Sequence, residues 1–198
     1  NVINPDDTVD AHGADAMRLY EMFMGPLDKA KPWSSTGLQG CSRFIKKLWA
    51  LLITNEGQLS RRITDDEPTK ETLRFLHNMI KRVSHNIEKL QFNTCVSEFM
   101  IFINHIHGLE TINIDIIKTF IVLMNPFMPH LAQELWELSG NESELTFNDW
   151  PNYDENLILS DKLKLAVQIN GKRRSEIEVD LNMEEKDIKK FAKNDSKI

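Results

Sequence analysis

Cysteine is scarce in this chain. Cys41 and Cys95 are the only two, and they form no CxxC pair. A multi-bridge disulfide framework and a thiolate zinc knuckle are therefore excluded, and the expectation is two reduced thiols carried on helices. Long apolar runs are missing as well. The richest stretch, Ile112 to Met128, is interrupted by Asp115, Lys118, Asn125 and Pro126. It falls short of the roughly 18 uninterrupted apolar residues of a membrane span. No secretory leader opens the sequence, and it holds neither an internal repeat nor a low-complexity tract. The expectations are a cytoplasmic location and no membrane partner. The chain starts at Asn1 without a methionine and stops at Ile198 inside a charged run, which reads as a piece of a longer polypeptide.

Catalytic signatures are equally absent. There is no glycine loop for phosphate, no nucleophile elbow and no HExxH. The 30 Asp and Glu residues include no pair whose spacing marks an acid and a base. His105 and His107 stand two apart, which turns them about 160° from each other on a helix, so no metal site is expected. No catalytic residue is predicted. Met17, Met22, Phe23 and Met24 read as core.

Positive charge is in overall deficit, with a formal net charge of −6, but its distribution is uneven. Between Lys29 and Leu90 there are 12 Lys/Arg against 6 Asp/Glu, whereas the rest of residues 1–150 has 2 against 14. Residues 151–198 balance at 10 against 10. A basic stretch on an acidic chain fits an anion or RNA footprint, and it equally fits solvated helix faces.

Apolar spacing predicts a mainly α-helical protein. Asn4-Pro5-Asp6-Asp7 is a helix start, and His12-Gly13 is its end. Ala14 to Met24 forms a second helix with Met17, Tyr20 and Met24 on one face, broken by Gly25-Pro26. Pro32-Trp33-Ser34-Ser35-Thr36 supplies a cap for an amphipathic helix from Leu38 to Ile53, whose apolar face is Cys41, Phe44, Ile45, Leu48, Trp49 and Leu52. After the polar stretch Asn55 to Pro68, Thr69 opens a helix to about Leu90. Its seam is Leu73, Leu76, Ile80, Val83, Ile87 and Leu90, at bundle spacing. Thr94 to Ile106, Ile112 to Met124 (apolar nearly all round, hence central) and Pro129 to Leu138 complete an antiparallel bundle from about Leu38 to Ser139. Beyond Trp150-Pro151 the period changes to two. Leu163, Leu165, Val167 and Ile169 read as a half-buried strand, and Asn170-Gly171 as a hairpin turn that Lys172 to Ser175 could lengthen. Ile177 and Val179 lie on the second strand, and Met183 opens a helix bearing Ile188 and Phe191. This small α+β segment reads as the start of a domain, since two strands make a marginal sheet. Domains are therefore expected at 1–37, 38–150 and 151–198.

The candidate functional groups are cations. Arg43 and Lys47, four apart, share a helix face, and Lys46 lies beside them. Arg74, His77, Lys81 and His85 run along one side of the long helix. Lys172-Arg173-Arg174 sits on the hairpin. Arg43, Lys46, Lys47, Arg74, Lys81, Lys172, Arg173 and Arg174 could grip phosphates, and all could be ordinary surface charge whose stems cover apolar edges.

Several segments together resemble one enzyme family. NVINPDD is similar to the residues just after the KMSKS signature of bacterial-type leucyl-tRNA synthetases. HGADAMRLYEMFMGPLDKAKPW resembles their next segment, GLQGCSRFIKKLW the first bundle helix, and MNPFMPHLAQELWELSG the last helix pair. WPNYDENLI and VQINGKRR resemble the way into the C-terminal domain. The resemblance covers nearly the whole chain in order. PHLAQELW is shared with valyl and isoleucyl relatives, whereas GADAMRLYEMFMGP and VQINGKRR are more particular to leucine.

The resemblance implies part of a class I enzyme that activates leucine with ATP and Mg and transfers it to tRNA. Rossmann catalytic and editing domains would lie upstream in the same polypeptide. HIGH and KMSKS are absent here, so this piece is expected to bind tRNA without activating an amino acid, and to need no cofactor of its own. The bundle, called the anticodon-binding domain in that family, would hold the tRNA body. The C-terminal domain would reach the tRNA corner and variable arm. Arg43 and Lys47 match basic positions that contact tRNA in the family. Arginine is frequent at the second, and lysine there keeps the charge but loses the bidentate fork. Asn1 and Val2 would flank the ATP loop. The expected partner is leucine tRNA and the expected state a monomer. A portion of a valyl or isoleucyl relative, or a free-standing helical RNA-binding module, are the competing readings.

Overall fold

In the computed structural model, which describes residues 3–158, 162–180 and 183–194, several helix starts fall where a neighbouring side chain caps them. Helix α1, Pro5–His12, begins with Asn4 Oδ1 accepting from the Asp6 N–H at 3.1 Å. Gly13, at φ 86°, then lets α2, Ala14–Phe23, set off in a new direction. Helix α3, Ser35–Leu52, is capped by Ser34 Oγ, which accepts from Gly37 N–H at 3.2 Å. Thr69 does the same for α4, Lys70–Glu88, through the Thr72 N–H at 3.2 Å. Helix α5 spans Phe92–His107, α6 Ile114–Met124 and α7 Pro129–Leu138. A 3-10 turn, Leu145–Phe147, follows.

These helices form the larger of two units, Asn1–Asp154 and Glu155–Ile198. Its core is written in the helical period. Leu38, Cys41, Phe44, Leu48, Leu51 and Leu52 are the buried face of α3, and Leu76, Met79, Ile80 and Val83 that of α4. Helix α6 is central, as its composition predicts: Ile116, Ile117, Phe120, Ile121, Leu123 and Met124 are all buried. Aromatic rings lock α5 to α6 and to the break before α7. Phe120 meets Phe99 edge-on at 5.7 Å and stacks on Phe102 at 5.3 Å, while Phe127 meets Phe99 at 5.0 Å.

Three details differ from the sequence pattern. Ile112 does not begin a helix. It lies with Asn113 in a short strand, β2, that pairs in parallel with β1, Ile63–Thr64, inside the stretch expected to be merely polar. Asn113 then caps α6, accepting from Asp115 N–H at 2.9 Å and Ile116 N–H at 3.2 Å. Leu90 is not in the α4 seam. It adopts φ 56° just past the helix end and is 58 % exposed, because a left-handed residue has left the helical period. On α2 the buried face is Ala16, Leu19 and Tyr20, with Met17 and Met24 only half-buried.

Polar side chains tie α2 to the bundle. Asp15 is buried, and its carboxylate accepts from Leu131 N–H at 2.7 Å and His130 N–H at 3.4 Å, with His130 Nδ1 at 2.9 Å. Met128 offers α7 no side-chain cap, so Asp15, 116 positions before Leu131, performs that role. Arg18 Nη2 donates to Pro126 O at 2.8 Å. Tyr20 Oη accepts from Ser34 N–H at 2.6 Å, and its ring meets Trp33 edge-on. At the far end of α5, Arg62 donates to the carbonyl of His107, which the helix C-terminus leaves unpaired, and to those of Leu109 and Glu110 just beyond it. Cys41 and Cys95 are free and buried on α3 and α5, and burial pushes their thiols up to about 11 and about 12.

The second unit holds a short helix α8, Glu155–Ile158, an antiparallel pair β3, Lys162–Ile169, and β4, Lys172–Asp180, and helix α9, Glu185–Lys193. Asn170 and Gly171, at φ 51° and 76°, make a two-residue turn, so the loop is not lengthened. Val167 pairs with Ser175 and Gln168 with Arg173, which leaves Arg174 as the extra residue of a bulge. Among the described side chains of β4, Ser175, Ile177 and Val179 are buried.

Candidate nucleic-acid interface

Helix α3 presents its cations opposite its buried face. Leu38, Cys41, Phe44 and Leu48 point inward, which leaves Arg43, Lys46 and Lys47 exposed. Arg43 and Lys47 are one turn apart, about 6 Å along the axis. Two like charges so placed repel by a few tenths of a kcal/mol, a cost that an anion lying across both would remove. Lys47 Nζ donates to Asn104 Oδ1 of α5 at 2.7 Å, whereas Arg43 and Lys46 have no protein partner among the described residues. Asn104 therefore orients one cation of the pair, and nothing local in the sequence announces a partner 57 positions away.

The basic side of α4 divides into two environments. Arg74 is half-buried and lines a cavity of about 220 Å³ with Phe75, Asn78, Met79, Arg82 and Glu98. Arg82 and Glu98 pair across it at 3.2 Å. Phe75 stacks on His105 with ring centres 4.0 Å apart. Burial lowers the His105 pKa, opposed by Glu71. Two turns on from Arg74, Lys81 Nζ lies 5.4 Å from the centre of the Tyr153 ring. His77 Nδ1 accepts from Asp154 N–H at 3.0 Å, and Trp150 Nε1 donates to Ser84 Oγ at 2.8 Å. The His77 pKa is lowered by burial, opposed by the charge of Asp154. The residues leaving the bundle thus run along this side of α4. Ser84 was not among the predicted site residues, since serine at a helix surface carries no signal of its own.

On the hairpin, Lys172, Arg173 and Arg174 are exposed in succession. Arg173 pairs with Glu176. Asn1 and Val2 lie outside the described residues. Among the described residues no three His, Cys, Asp or Glu side chains gather as a metal site, and no helix is long and apolar enough to cross a membrane.

Comparison with known proteins places this arrangement. Residues 69–190 match the model of the family described as anticodon-binding domain of tRNA ligase. Over its whole length the chain is 45 % identical to a leucine–tRNA ligase of Borrelia garinii subsp. bavariensis. It is likewise 45 % identical to a leucine–tRNA ligase of Borreliella burgdorferi. It spans 23 % of the length of each. Among solved structures, 97 % of the chain superposes on 26 % of an Agrobacterium radiobacter LeuRS at a TM-score of 0.73 and 26 % identity. That protein was crystallised as a ternary complex with tRNA and LeuAMS.

Proposed function

The chain belongs to the anticodon-binding domain family of tRNA ligases, and we propose that it is the tRNA-holding portion of a leucyl-tRNA synthetase. The observation that carries this reading is 45 % identity to leucine–tRNA ligases along the entire chain, connecting helices and hairpin included. A valyl or isoleucyl relative, which shares the PHLAQELW segment, is disfavoured by that extent. The work of the portion is positional. Arg43, Lys46 and Lys47 on α3 meet the phosphate backbone of leucine tRNA, with Arg74 on α4 and Lys172, Arg173 and Arg174 on the hairpin as further contacts. Phosphate contacts fix register without reading sequence, and a substrate misplaced by about 1 Å can react on the order of 100-fold more slowly.

Asp15, Arg18 and Tyr20 serve the same purpose from the other side. They fasten α2, in the segment expected to lead from the catalytic domain, to the starts of α3 and α7. A load on the bundle is then passed on through packed helices. ATP, Mg and leucine belong to the catalytic part of the whole enzyme, where Asn1 and Val2 would flank the ATP loop. The enzyme would act in the cytoplasm as a monomer.

The test is amino-acid-dependent ATP–pyrophosphate exchange by the intact polypeptide, run across the twenty amino acids. Selective exchange with leucine is expected. Exchange with valine or isoleucine would keep the fold and overturn the substrate. A folded protein with no exchange would leave the free-standing RNA-binding module as the better reading.

A further inference from the structure

The residues that leave the larger unit are held at three successive points along one stripe of α4. Ser84, Lys81 and His77 are spaced three and four apart, so they share a face. Ser84 Oγ accepts from Trp150 Nε1 at 2.8 Å, Lys81 lies over Tyr153 at 5.4 Å, and His77 Nδ1 accepts from Asp154 N–H at 3.0 Å. The chain runs antiparallel to the helix, each contact one turn further toward the α4 N-terminus. Each uses different chemistry: an indole donor on a hydroxyl, a cation on a ring face, and an imidazole lone pair on a main-chain N–H. Trp150 and Tyr153 remain 37 % and 40 % exposed, so this segment is laid on the surface and not sunk into the core. Apolar burial alone does not hold it there.

We propose that this stripe is a clasp, and that His77, Lys81 and Ser84 are positioning residues that fix the point from which the chain departs toward the β3–β4 hairpin. The proposal rests on the tRNA-holding reading above. Two binding elements joined by a tether act together only as well as the tether confines them, since effective concentration falls steeply as the span becomes longer or looser. Opening the clasp frees residues 150–154 and lengthens the tether that carries Lys172, Arg173 and Arg174. The α3 cations remain where they are. The hairpin then meets the same tRNA less often.

The His77 contact makes the clasp sensitive to acid. Its lone pair accepts the Asp154 N–H only while the ring is neutral at Nδ1. Arg74 and Lys81 stand within a turn of it on its own helix, and the Asp154 carboxylate opposite favours the proton. Burial outweighs Asp154, so the pKa of the clasped ring lies below the ordinary 6.5. The clasp is therefore complete above about pH 6.5 and loosens as pH falls through the lower value.

The experiment uses the full-length enzyme carrying this chain, with variants His77→Ala, Lys81→Ala and His77→Asn. In the last, Oδ1 stands where Nδ1 stood and cannot titrate. Three quantities are read: hydrogen exchange at the Asp154 amide between pH 5.5 and 7.5, KM for tRNA in aminoacylation, and leucine-dependent ATP–pyrophosphate exchange. The two alanine variants are expected to raise KM for tRNA about 3–10-fold through lost confinement. Leucine-dependent exchange should stay within about twofold, and Asp154 protection should fall. His77→Asn is expected to restore both KM and protection, and to flatten the pH dependence of protection. Protection lost with KM for tRNA unchanged would overturn the positioning role. Protection unchanged in His77→Ala would overturn the clasp itself. Failure of the tRNA-holding reading would show in the wild-type enzyme, as absent leucylation of tRNA, and so is distinguishable from either result.

Discussion

Asp15→Ala isolates the joint between the connecting helices and the bundle. Asp15 is 9 % exposed, and its carboxylate is the cap of α7, because Met128 supplies none. Its loss removes an N-cap worth about 1 kcal/mol and a negative charge at the helix N-terminus worth about 0.3–1 kcal/mol. It also leaves the Leu131 N–H, bonded at 2.7 Å, without a partner. A stranded donor at a half-buried site adds about 1 kcal/mol. The sum is about 2–3 kcal/mol. For a unit of this size that lowers Tm by roughly 5–10 °C. Asp15→Asn keeps one acceptor and loses the charge, so about half the effect remains. The assay is thermal unfolding followed by far-UV circular dichroism, with hydrogen exchange at the Leu131 amide as the local probe. An alanine variant within about 0.5 kcal/mol of wild type, the scale of an ordinary surface change, with Leu131 still protected would refute the assignment of Asp15 as a cap acting from another helix.

Three further predictions follow from the same geometry. A methyl at Gly37 would meet Tyr20 Cε2 at 2.7 Å, and Tyr20 is pinned by Ser34 N–H. Gly37→Ala should therefore cost about 1–2 kcal/mol by chemical denaturation despite the better helix propensity of alanine. Arg62→Ala removes the donor to three carbonyls at and just past the α5 C-terminus and should cost about 1.5–3 kcal/mol, with loss of amide protection at Ile112, whose N–H is bonded to Arg62 O at 2.7 Å. Cys41 and Cys95, whose pKa values burial raises to about 11 and about 12, should not react with a thiol reagent at pH 8 on the time scale of exposed cysteine. Both should react on adding denaturant, and mass spectrometry of the native reaction checks this.

The bundle is legible in the sequence because burial imposes the helical period on whichever residues face inward. Helices α3, α4, α5 and α6 each carry that period over three turns or more, and Asn170-Gly171 meets the dihedral demands of a two-residue turn. The pattern fails where structure depends on a distant partner. Ile112 looks like the first residue of an apolar helix, and only its pairing with Ile63 reveals a strand. Leu90 has the right spacing for the α4 seam, but spacing does not register that the backbone has turned left-handed at that residue. Among the candidate cations, the exposure of Arg43, Lys46 and Lys47 can be read off the helical wheel. The contact of Lys81 with Tyr153 and that of Lys47 with Asn104 cannot, since each joins side chains far apart in the chain. The caps formed by Asp15 and Arg62 are hidden for the same reason.

The most direct test of the central claim is Arg43→Ala in the intact enzyme, with leucylation of tRNA and leucine-dependent ATP–pyrophosphate exchange measured side by side across salt concentrations. Arg43 is exposed and has no protein partner among the described residues, so the fold does not depend on it. If α3 holds tRNA through phosphate, kcat/KM for tRNA falls, its log–log salt slope becomes shallower by about one unit, and leucine activation is unchanged. Equal losses in both reactions, or no loss in either, would contradict the account.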